Sequence, residues 1–293
     1  MSATTTQAPP RPQRHEAPRR QRSARRFVLP VAGAGLVAVF LGPYVVMLLD
    51  SLRPSSDVQR SPATFFPQEW QLSTFGTVLS DPRFLNWLKT SLLVASTSTL
   101  IVLIVAVPAA YFTARMRFPG RMAFLFLVLV TQMFSPTSLV VGLYRQFFDL
   151  NLVNTYLSII VTNAAFNLAF AVWILHGFFA SIPAEIEEAA SIDGAGRLGT
   201  LWRIMLPLTR PGLVTAVIFT FIAAWNEYVV ALTLIQDEAK KPLTVGINSY
   251  VTGYEQHWDQ LFAAAIIAIV PVVILFAVIE KHLVGGLTAG SVK

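Results

Sequence analysis

Six apolar blocks run along the chain, separated by polar or proline-rich segments. They are Phe27 to Leu49, Thr90 to Ala114, Met122 to Leu143, Thr155 to Phe179, Gly212 to Leu234 and Leu261 to Ile279. A hydrocarbon core of about 30 Å needs about 20 helical residues at about 1.5 Å each, and every block meets that length. Lipid cannot satisfy open backbone groups, so each block predicts a helix; the short alternating segments of a membrane barrel are not visible. The expected fold class is an all-α membrane protein with six transmembrane helices. The first block is longer than the apolar core of a secretory signal and predicts an uncleaved span.

Composition agrees. Of 293 residues, 54% are hydrophobic and 13% charged, with a mean hydropathy of +0.59. Soluble domains carry about 25% charged residues. Length allows one or two domains, but the near-continuous blocks predict a single membrane domain over 27–293. Residues 1–26 are polar, rich in Pro and Arg and without apolar periodicity, which predicts a disordered basic cytoplasmic tail. Cysteine is absent, which excludes disulfides and cysteine metal sites.

The net charge of +6 is explained by orientation better than by nucleic acid, which is not an expected partner. With the N-terminus inside, inside segments hold fifteen Lys and Arg and outside segments seven. Seven of the fifteen lie in the tail, but the short loop holding Arg115, Arg117 and Arg121 agrees independently. The positive-inside rule therefore predicts an N-in, C-in topology. Three connections exceed simple turns: an outside stretch from Asp50 to Lys89 with four prolines, an outside loop from Gln236 to Gln260, and an inside loop over 180–211.

The inside loop reads SIPAEIEEAASIDGAGRLGTLWRIMLP from Ser181 to Pro207. Pro183 suits a helix start, and Glu185, Glu187 and Glu188 suit its positive end. Gly194 can take the left-handed conformation that ends a helix. Leu198, Leu201, Trp202 and Met205 then recur at helical spacing, with Pro207 and Pro211 limiting continuation. This predicts a short helix, a sharp turn and a second helix. Ala189 and Ala190 carry little side chain, so another surface could approach closely.

These residues resemble the signature loop of ABC importer permeases: Glu-Ala-Ala, three residues, Gly, nine residues, Ile, one residue, Leu-Pro. Glu188, Ala189, Ala190, Gly194, Ile204, Leu206 and Pro207 fill every fixed place, and Asp193 and Ala195 fit the Asp-Gly-Ala form of sugar-importer permeases. Trp225-Asn226-Glu227 resembles an element of the carbohydrate group. The ending from Gly286 to Lys293 resembles the tail of the maltose-type second permease. The resemblance covers the chain from about Phe27 and implies a type I ABC importer permease fold with a cytoplasmic coupling helix, in a cell membrane.

The resemblance also implies partners: a second permease subunit forming a heterodimer, two ATPase subunits, an extracytoplasmic solute-binding protein, a carbohydrate and the surrounding lipid. It implies that the loop docks on an ATPase and that the chain forms half of a pathway. No Gly-x4-Gly-Lys-Ser/Thr phosphate loop occurs. No cofactor is therefore expected on this chain, ATP and Mg belonging to the ATPase subunits, and no enzyme activity is expected.

Polar residues inside the spans are candidate pathway groups: Gln132 beside Pro136, Asn163 and Asn167 on one helix face, and Asn226 with Glu227. Interhelical hydrogen bonds, worth about 0.6 kcal/mol on average, are the plainer reading of each. His176 has no second ligand at helical spacing and reads as structural, so no metal site is expected. Tyr250, Tyr254 and Trp258 suit either a binding-protein contact or interfacial anchoring. A permease for another solute, or a proton-driven transporter using Glu227, are the alternatives.

Overall fold

The computed structural model describes residues 20–59, 65–252 and 256–288. Their regular elements are helices, apart from an isolated bridge pairing Val251 with Gln256. The chain divides into two compact units, Met1–Met47 and Leu48–Lys293. The first contains most of α1 (Arg20–Ser51), whose Pro30–Ser51 portion is long and apolar enough to cross a bilayer.

The second unit contains α2 (Ser73–Ser80), α3 (Pro82–Arg115), α4 (Arg121–Thr131), α5 (Pro136–Asp149), α6 (Tyr156–Ser181) and α7 (Glu185–Ile192). It continues with α8 (Arg197–Leu208), α9 (Arg210–Trp225), α10 (Val229–Leu234) and α11 (Trp258–Thr288). Besides Pro30–Ser51, three helices qualify as spans by length and apolarity: α3, α6 and the Trp258–Ile279 part of α11. Two bent pairs raise the number of candidate crossings to as many as six.

The helix expected from Thr90 starts earlier. Asp81 caps α3 by accepting from the Arg83 backbone N–H at 2.9 Å, and Pro82 takes the first helical position, where its missing N–H costs nothing. Pro82, read from the sequence as a loop proline, is a helix start. The 34 residues of α3 make a rod of about 51 Å. The fourth block falls where expected, its first turn capped by Thr155.

Two expected straight helices are broken. The third bends by 93° between Thr131 and Pro136. Pro136 forces Ser135 into an extended conformation (φ −74°, ψ 133°), which ends one helix and starts the next. The fifth, expected over 212–234, ends at Trp225 and resumes only as the short α10. The Glu227 carboxylate causes the restart: it accepts from Val230 N at 2.7 Å and Ala231 N at 2.9 Å, capping α10. A further bend of 80° separates α8 from α9 at Thr209.

The core is built on α3 against α6. Val102, Ala106, Val107 and Ala110 meet Ala164, Ala171, Val172 and Leu175, and the alanines let the two backbones approach. Gly212 serves the same purpose on α9, since a Cβ there would lie 2.8 Å from Phe178 Cβ. A second cluster joins Phe84 and Trp87 of α3 to Phe221 and Trp225 of α9, Tyr250, and Ala263 and Ala264 of α11.

Candidate functional site

The loop between α6 and α9 has the predicted helix–turn–helix form. Helix α7 closes with a Schellman motif: Ala195 N donates to Ala190 O at 2.9 Å and Gly194 N to Ser191 O at 3.1 Å. Gly194 sits at φ +80°, a conformation that costs a residue with a Cβ about 1–2 kcal/mol.

Exposure divides the signature residues. Glu188, Ala189, Asp193 and Gly194 face solvent, Ala190 is buried and Ala195 half-buried. Beside them Ile192, Leu198 and Trp202 are exposed at 86%, 72% and 56%. These apolar side chains therefore lie outside the packed core. Of the expected anchoring residues, Ile204 and Leu206 are half-buried and Pro207 is exposed. The deeper anchors are Leu201 and Met205, which pack with Val107 and Tyr111 of α3 and Leu175 and Phe179 of α6.

Pro207 explains a widened turn. Residues Leu201–Met205 form a π-helical segment in which Leu206 N reaches Leu201 O, five residues back. The extra residue in that turn accommodates a proline that has no N–H of its own. Thr209 closes the arm, its hydroxyl and its N–H both donating to Met205 O, at 2.6 and 2.9 Å.

Sequence reasoning did not find the contacts that hold α7. Arg115, at the end of α3, donates to Ile182 O at 2.7 Å and pairs with Glu187 through Nε and Oε1 at 3.3 Å. The pair is an ion contact without hydrogen-bond alignment. The available signal was an arginine at the end of an apolar block and an extra glutamate just before the signature.

The candidate pathway residues separate. Gln132 and Asn167 line one pocket of about 320 Å³ with Phe134, Pro136, Phe166, Phe170, Phe219 and Ala223. The break in the third block makes this pocket by turning the backbone away at Gln132. Phe166 and Phe170 were not picked out from the sequence, although their spacing of four puts both on one helix face. Asn163 is buried and donates to Ile159 O at 3.1 Å, and Asn167 donates to Asn163 O at 2.8 Å, so both amides are partly spent within α6. Asn226 lies at the helix break, and Glu227 is committed to capping. His176 pairs with the Thr113 hydroxyl at 3.1 Å, a link between α6 and α3. Among the described residues no cluster of His, Asp and Glu could hold a metal.

In the 236–260 loop, Tyr250 is buried, its ring edge-on to Trp87 at 5.8 Å, which places it in the core and not on an open surface. Its hydroxyl donates to Asp81 Oδ2 at 3.5 Å, and burial together with the Asp81 charge pushes its pKa up to about 12. Trp258 is half-buried at the start of α11 beside Phe262. Tyr254 lies outside the described residues.

Comparison with known proteins follows the same lines. Residues 98–288 match the family described as Binding-protein-dependent transport system inner membrane component. The Trehalose/maltose transport system permease protein MalG of Thermococcus litoralis is 36% identical over 279 residues, covering 94% of this chain and 99% of its own length. The Sulfoquinovosyl glycerol transport system permease protein SmoH of Agrobacterium fabrum is 34% identical over 263 residues, covering 90% and 92%. A chain in the crystal structure of a bacterial ABC transporter that imports the acidic polysaccharide alginate is 26% identical, with a TM-score of 0.77 over 91% of this chain and 98% of that one.

Proposed function

We propose a function from one premise: the chain belongs to the family of binding-protein-dependent transport system inner membrane components. It is an all-helical membrane permease subunit with the type I ABC importer fold. Its cargo is a carbohydrate, delivered by a solute-binding protein, and it forms half of the pathway beside a second permease. Two ATPase subunits supply the energy and hold ATP and Mg. Six crossings with both termini in the cytoplasm put the α7 loop on the ATPase side.

The observation that carries this reading is the solvent-facing turn at Gly194, flanked by exposed Ile192, Leu198 and Trp202. A permease without a nucleotide site needs such a face to receive work from a motor. Capping by Glu227 supports the ATP-driven reading over a proton-driven one, because a relay acid needs a carboxylate free to exchange protons. The aromatic rings and amides that line the Gln132–Asn167 pocket suit a sugar, whose C–H faces stack on rings and whose hydroxyls bond to amides.

Copurification from native membranes tests the proposal. ATPase subunits and a binding protein loaded with carbohydrate should accompany the chain. Isolation with an intact fold but no ATPase, or with a binding protein that holds a non-carbohydrate solute, would overturn the respective part.

A further inference from the structure

Helix α3 is not joined in sequence to either of the two functional loops, yet it holds both. At its C-terminal end Arg115 pairs with Glu187 of α7 and also holds Ile182 O. At its N-terminal end Asn86 donates to Ala239 O, and the Ser91 hydroxyl accepts from Leu243 N at 2.8 Å. Between these, Gly246 lies directly on the Trp87 indole: an added Cβ would come within 2.6 Å of Trp87 Cε2. The two loops are therefore clasped at opposite ends of one 34-residue helix.

We propose that α3 is a strut that transmits movement between the α7 loop and the 236–260 loop, and that the Arg115–Glu187 clasp is its motor-side joint. This rests on the proposed permease function. Helix α6 precedes the loop and α9 follows it, so without the clasp a displacement of α7 would reach α3 only through side-chain packing. The helix is fit to carry load. Pro108 removes one bond from its ladder, but Val107, Ala110 and Tyr111 on either side pack against α6. The joint is half-shielded, with side-chain exposures of 11% for Arg115 and 22% for Glu187. Glu187 is a positioning residue: its carboxylate points to α3, while Glu188 faces solvent.

The test uses the whole importer in liposomes and reads how strongly its copurifying, cargo-loaded binding protein stimulates ATP hydrolysis. A wild-type importer with this stimulation establishes the permease function independently of the strut. Glu187→Gln should then lower the ratio of stimulated to unstimulated hydrolysis roughly threefold, the size expected for a shielded ion pair. The chain has no cysteine, so Arg115→Cys with Glu187→Cys allows a bifunctional thiol reagent to rebuild the joint covalently. Before crosslinking the pair should show the same loss, and after crosslinking most of the ratio should return. Normal stimulation in Glu187→Gln, or no recovery on crosslinking an assembled complex, would overturn the strut.

Discussion

Substitution of Gly194 tests backbone strain apart from packing within this chain, because the space around the site is otherwise empty. A Cβ at Gly194 would meet nothing within 4 Å, so packing contributes no penalty. The φ of +80° remains, and it costs alanine about 1–2 kcal/mol. A β-branched residue in that region is more costly still. Asparagine tolerates the left-handed region better than other non-glycine residues. One to two kcal/mol lowers the ratio of the native turn to any unwound alternative by a factor of about 5–30. Gly196 is the internal control: it too has open space around it, but its φ is −70°. Uptake per ATP hydrolysed, measured in reconstituted importer, should fall in the order Gly194→Asn, Gly194→Ala, Gly194→Val, while Gly196→Ala stays near wild type. Limited proteolysis within residues 185–197 should rise in the same order. Equal coupling in Gly194→Val and Gly196→Ala would refute the turn as the feature that presents the docking face.

Gly246→Val should sharply reduce the amount of folded protein, because the added atoms collide with the Trp87 indole and overpacking costs about 1–3 kcal/mol; thermal unfolding in detergent reads the loss, and Gly142→Val, in open space, is the control. Glu227→Gln should lower thermal stability by about 1 kcal/mol through a weakened cap and leave the pH dependence of uptake unchanged; loss of a proton-coupled component would contradict the capping role. Tyr250 binds its proton up to about pH 12 when folded but only to about 10 when unfolded, so stability should fall as pH rises through that window. Tyr250→Phe should remove this part of the alkaline loss, and an identical alkaline profile would show that burial beside Asp81 does not hold the Tyr250 proton.

The apolar blocks specified most of the helices because lipid-length periodicity is a long-range, redundant signal. What the periodicity could not show were the breaks inside blocks. Pro136 turns the third block by 93°, and Glu227 restarts the fifth, although hydropathy averages across both. Pro82 was misjudged for the opposite reason: a proline that ends one helix can open another. In the loop, Pro183, the glutamates and Gly194 specified the turn through local backbone chemistry. The clasp of Arg115 on Glu187 joins residues 72 positions apart, and no local rule reaches that far. Tyr250 illustrates the same limit. An aromatic in an outside loop reads as a surface contact until Trp87, far earlier in the chain, is seen to cover it.

Carbohydrate accumulation in sealed liposomes, with the partner permease and binding protein present throughout and the ATPase subunits either included or omitted, tests the central claim most directly. Uptake should require both the ATPase subunits and ATP, and should vanish when either is withheld. Concentrative uptake without any ATPase would contradict a chain whose loop works by receiving force from a separate motor.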